Sequence, residues 1–141
     1  MKTINGNQIQ LAFRDIKRVY LCGKNLSSQA FEHIENEGLE IGISDYKEFT
    51  ADVPHVHTSN DEYNIVLEGE VKVYVFEEKK EYAFGKDGVF LIEPHMPYMV
   101  KAKAGTQVLF VKSPGGNDKQ LLPITSPIEH WMRAWENTMN G

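Results

Sequence analysis

Cysteine is almost missing from this chain. With only Cys22, no internal disulfide can form, and a reducing compartment such as the cytoplasm fits. Cys22 lies in the apolar run Val19 to Cys22, where a buried, inert thiol is the expected reading. Basic charge is also scarce. The chain has 15 Lys and Arg against 20 Asp and Glu, a net charge of −5. A nucleic-acid footprint needs a basic surface, so that class of partner is not expected. No apolar run is long enough to cross a membrane, and Met1 to Gln8 lack the apolar core of a secretion signal. Internal repeats and low-complexity linkers are absent too. A length of 141 residues suits one domain, residues 1–141, with a real core.

What is present is a series of short strand patterns. Leu39, Ile41 and Ile43 alternate with polar or small residues and predict a half-buried strand. Ile65 to Leu67 and then Val71, Val73 and Val75 predict a hairpin turning at Gly69. Glu77 to Glu81 reads as a charged turn. Tyr82 and Phe84 begin a further strand that ends at the Gly85 to Gly88 turn, and Val89 to Ile92 suits an inner strand. Val108 to Val111 follows the turn at Ala104 and Gly105. The strand core spans about 39–112, and many short strands of this kind predict a sandwich or barrel. Gln8 to Phe13 and Arg18 to Cys22 are expected to add strands, and Ser27 to Asn36 a helical turn. A short C-terminal helix is expected over about 127–139. Ser126 to Glu129 would form its capping box, and Ile128, Trp131 and Trp135 its apolar stripe. His130 beside that stripe is read as structural.

The run Pro54-His-Val-His-Thr-Ser-Asn-Asp-Glu62 carries the chemistry. Alternate side chains of a strand share a face, so His55 and His57 can point the same way. Glu62 opens the next strand after a polar turn and can return to the same side; Tyr63 then faces away. Two imidazoles and one carboxylate make a site for a divalent first-row metal, with coordination positions left open.

With Gly69, these residues spell H-x-H-x4-E-x6-G, which resembles the first motif of the cupin superfamily. Phe49 stands where that motif usually has an earlier glycine. Gly88 to Tyr98 resembles the second cupin motif in altered form, with Tyr98 at the place of its last histidine. The resemblance implies an all-β fold, a cupin-like double-stranded β-helix or jelly-roll barrel. It also implies one divalent metal ion (Zn, Fe, Mn or Ni) on His55, His57 and Glu62. Tyr98 could then be a phenolate ligand, a nearby proton-transfer group, a contact to an organic ligand bound without metal, or an ordinary strand residue. His95, like His33, is a possible outer group around the metal. Similar cupins include isomerases, epimerases, lyases and oxygenases. The functional expectation is action on an oxygen-bearing small molecule, a sugar or organic acid. The alternative is a non-catalytic module that binds a small molecule or metal. A homodimer is expected, with the N-terminal segment and the Trp131/Trp135 helix supplying apolar surface.

Overall fold

The computed structural model describes residues 1–24 and 26–140. The chain enters through a short helix, α1 (Gly6–Ala12), where a strand was expected. Asn5 explains the difference. Its side chain accepts from the Asn7 N–H, and the Gln8 side chain reaches back to the Asn5 N–H, a reciprocal cap that fixes the first turn. The strands follow as β1 (Arg18–Gly23), β2 (Ile34–Glu35), β3 (Glu40–Tyr46), β4 (Thr50–Ala51), β5 (His55–His57) and β6 (Asp61–Glu68). Then come β7 (Val71–Val75), β8 (Lys80–Phe84), β9 (Val89–Ile92), β10 (Tyr98–Ala102), β11 (Thr106–Ser113) and β12 (Lys119–Leu121). The last element is α2 (Ser126–Arg133). Residues 26–33 contain no helical turn, contrary to expectation.

The strands form two facing sheets, in the orders β2-β1-β3-β11-β6-β9 and β12-β5-β10-β7-β8, with β4 also pairing to β10. From β5 onward each strand is followed by one in the other sheet, except β7 and β8, which pair as a hairpin, and this alternation is how a jelly roll closes its core. Much of the interior is apolar: Val66, Val71, Val73, Val75, Ile92, Tyr98, Ala102 and Val108 form one cluster. Gly69 makes the tight turn into β7 with a φ of 86°, and a Cβ there would collide with Thr106. On β3 the inward positions are polar or small. Glu40, Gly42 and Ser44 of β3 face in, while Ile43 faces out under α1 with Phe13, Val19 and Phe31. The strand pattern was therefore legible, but its inner face is the reverse of the expected one. The apolar residues of β3 serve an outer cluster built by the N-terminal segment.

Two more expectations change. β9 is an edge strand rather than an inner one, with Val89 and Leu91 exposed. α2 ends at Arg133, and its N-cap is Thr125, which makes no side-chain capping bond. Pro127 at the first turn still fits a helix start. The Trp stripe packs onto the chain's own barrel: Trp131 is fully buried with Ile128 and Met99, beside Tyr74 and Phe76.

Candidate functional site

The barrel interior gathers the four residues singled out in the sequence. β5 places His55 and His57 on one face, two residues apart. Tyr98 opens β10 directly across from His55 in the ladder. Glu62 lies near the start of β6 in the other sheet and reaches across. Tyr63 faces outward, as expected.

The Tyr98 hydroxyl sits where the other three converge. His55 Nε2 is 2.8 Å from it, His57 Nε2 2.9 Å, and it donates toward Glu62 Oε2 at 3.3 Å. His57 Nε2 and Glu62 Oε2 are 3.9 Å apart. Both rings are fixed from behind. His55 Nδ1 donates to the Val53 carbonyl at 2.8 Å, and His57 Nδ1 to Asp118 Oδ1 at 2.7 Å. Each Nδ1 then carries its ring's proton, so each neutral ring turns a bare Nε2 lone pair toward the centre.

Burial, with Lys119 and His57 nearby, lowers the His55 pKa against the pull of the Val53 carbonyl. Burial, then the charges of Glu62 and Asp52, hold the Tyr98 phenol well above its ordinary value. At neutral pH the centre is thus a neutral phenol facing a neutral His55. Asp118 behaves in the opposite way. Burial would raise its pKa, but the Ser59 N–H, the His57 ring and the Asn60 N–H bind the carboxylate and hold it well below its usual range.

The hydrogen count at the centre is unbalanced. Two imidazole lone pairs, a carboxylate and a phenol oxygen share the single Tyr98 proton. A buried point rich in acceptors and short of donors is one a cation satisfies. Histidines whose other nitrogen is held by a carbonyl or carboxylate are the usual form of metal ligands. The chemistry of the donor set therefore fits a divalent first-row ion. Among the described residues, no three His, Cys, Asp or Glu side chains form a metal-holding group by themselves. The Tyr98 oxygen is the further donor at the point of convergence.

A cavity of about 50 Å³ adjoins this cluster. It is also lined by Arg18, Ser44, Tyr46, Asp52 and Lys112. Lys112 pairs with Glu40 at 3.4 Å, and both are buried. His95 adopts a φ of 64° at the Pro94–Pro97 turn, and its N–H donates to the His57 carbonyl at 2.7 Å. Its role is thus to tie that turn to β5 through its backbone, and the residue is largely exposed. His33 lies away from the site and pairs with Glu35 at 2.8 Å.

Arg18, Lys112 and Asp118 are site residues that motif reasoning missed. Lys112 had a signal, since it continues the inward phase of Val108 and Phe110. Asp118 had none: it lies in a loop 61 residues from His57.

No family model matches the chain, and no curated protein matches it. Solved structures do. Pac13, a nucleoside dehydratase from Streptomyces, aligns at a TM-score of 0.54 and 8% identity, over 67% of this chain and 75% of its own. An RmlC-like cupin from Shewanella frigidimarina aligns at 0.52 and 20%, over 59% of this chain and 72% of its own. KdgF from Halomonas aligns at 0.51 and 19%, over 64% of this chain and 81% of its own. The fold is therefore the cupin barrel, with two sheets and a short C-terminal helix.

Proposed function

We propose that this chain is an enzyme acting on an oxygen-bearing small molecule, a sugar or organic acid. His55, His57 and Glu62 would hold one divalent ion (Zn, Fe, Mn or Ni). The observation that carries the reading is the surplus of buried acceptors around the Tyr98 hydroxyl. Fold neighbours that include a nucleoside dehydratase support action on small molecules. A bound divalent ion would supply Lewis acidity that polarises a substrate oxygen.

The chain's own groups would do the rest. His55 and His57 are held in one ring orientation by Val53 and Asp118. Tyr98 keeps its proton at neutral pH and is placed to donate it to a substrate oxygen, or to serve as a fourth ligand. Asp118 would hold the His57 Nδ1 proton and so keep the Nε2 lone pair turned toward the ion. Tyr98 belongs to the apolar core cluster and pairs with Val75, which limits water around its hydroxyl. The chemistry would be of isomerase, lyase or oxygenase type. The same proposal makes the protein a cytoplasmic homodimer: a lone Cys22 suits a reducing compartment, and an exposed apolar sheet face suits a second copy.

The test is metal-linked stability. Zn, Fe, Mn or Ni added to chelator-treated protein should raise its melting temperature, because a ligand that binds the folded state stabilises it. His57→Ala should lose that rise and stay folded. Tyr98→Phe should keep most of it and lose turnover or ligand binding. If none of the four ions stabilises the wild type, the metal reading fails.

A further inference from the structure

We propose that the cavity takes a small organic acid and that Arg18 receives its carboxylate. This rests on the reading of the cavity as a small-molecule site, and it selects an acid over a neutral sugar. Arg18 opens β1 opposite Ser44 of β3; the residue as a whole is exposed, and it also lines the cavity. Its Nε donates to Ser44 Oγ at 3.0 Å, and its guanidinium carbon lies 4.8 Å from the centre of the Phe110 ring. Phe110 can take that place because Gly42 has no Cβ; one built there would overlap the ring. One edge and one face of the guanidinium are thus fixed by neutral groups.

The charges nearby are arranged differently. Lys112 is paired with Glu40, and His57 with Asp118. Among the described residues no carboxylate forms an ion pair with Arg18. Burial opposes the Arg18 charge, but Tyr46, Tyr20 and Glu62 outweigh it, so the group stays cationic. With Lys112 held by Glu40, the cations left on the cavity lining are Arg18 and Lys119, beside the acids Asp52 and Glu62.

A guanidinium positioned beside a polar cavity without its own carboxylate is built for an incoming one, since its N–H fork matches two carboxylate oxygens. The cavity's size agrees. About 50 Å³ suits an acid of a few carbons and is cramped for a hexose. A carboxylate on Arg18 would leave the rest of the molecule directed across the cavity toward Tyr98 and the two histidines, which line the same space.

The experiment is calorimetric titration of the full chain with acetate, lactate and malonate, each beside its neutral amide, with and without added zinc. The wild type should favour at least one acid over its amide by about tenfold or more, the usual scale of a charge-assisted contact. Arg18→Gln should lose that preference yet keep the wild-type zinc-induced rise in melting temperature. Arg18→Lys should recover part of the preference. His57→Ala should lose the zinc response and keep the acid preference in the zinc-free arm, so failure of the metal reading is seen separately. An Arg18→Gln protein with an undiminished acid preference overturns the proposal. So does a wild type that favours no acid of the panel over its amide.

Discussion

Tyr46 shows how a single residue on the cavity lining ties stability to pH. Burial, then the neighbouring Asp52, pushes its phenol up to about 12, while Arg18 and Ser44 pull the other way. An unfolded tyrosine titrates near 10, so the folded state keeps a proton that the unfolded state releases. The resulting stability is complete below pH ~10 and is lost as pH rises toward ~12. Two pH units correspond to about 3 kcal/mol. Alkaline unfolding followed by circular dichroism, with tyrosinate absorbance beside it, should therefore begin above pH ~10. Tyr46→Phe should lessen this sensitivity without removing it, because Tyr98 is held up in the same direction. An unchanged alkaline midpoint in that variant would show that Tyr46 is not a source. At this scale the sequence was informative wherever residues lay close along the chain. His55, His57 and Glu62 were legible from strand periodicity and a short turn. Tyr98 was legible only through the altered second motif. Asp118 and Arg18 join the site through long-range sheet pairing, which leaves no local trace.

At the scale of elements, the C-terminal helix depends on lysines of the sheet beneath it. Eight residues are too few for a helix that is stable by itself. Lys101 of β10 is fully buried, and its Nζ donates at 2.9 Å to each of the carbonyls of Trp131, Ala134 and Asn137. It also lies 4.1 Å from the Trp131 ring centre. The carbonyls left open at the helix end thus meet a cation, as the helix dipole favours. Lys72 and Lys103 lie over Trp135, and Lys72 also donates to its carbonyl at 2.9 Å. Lys101→Met should cost about 3 kcal/mol, since it removes charge-assisted bonds and strands buried carbonyls. Hydrogen exchange should show the loss first in α2, and an unchanged melting temperature would refute the role. The start of the helix was legible from Pro127 and the Ile128 and Trp131 spacing, whereas Trp135, expected on the same stripe, lies beyond the helix end. Its partner was not, because a lysine in a strand pattern reads as solvent-facing. The reversed inner face of β3 has a similar cause. Alternation reveals two faces but not which one the barrel encloses, and here the N-terminal segment supplies a second apolar environment outside.

For the whole molecule, the docking of Trp131 moves the expected association surface elsewhere. The outer face of β6 and β9 carries Tyr63, Val89 and Leu91, which are 44%, 59% and 39% exposed. Tyr63 pairs with Leu91 and Ile65 with Val89, so the apolar side chains sit together. A second copy laid on this face by two-fold symmetry would bury like against like. Light scattering at micromolar concentration should give twice the 16.1 kDa of one chain. Leu91→Glu should give the monomer with the fold intact, and a monomeric wild type would end the idea. The mingling of apolar and polar residues in the barrel interior has a separate consequence, for how the protein can change. Val75 pairs with Tyr98 and Ile92 with Glu62, so the packing and the chemistry share neighbours. A change of specificity made at these residues also changes the core, so substitutions there should alter stability and binding together, while those on the outer sheet faces should alter neither.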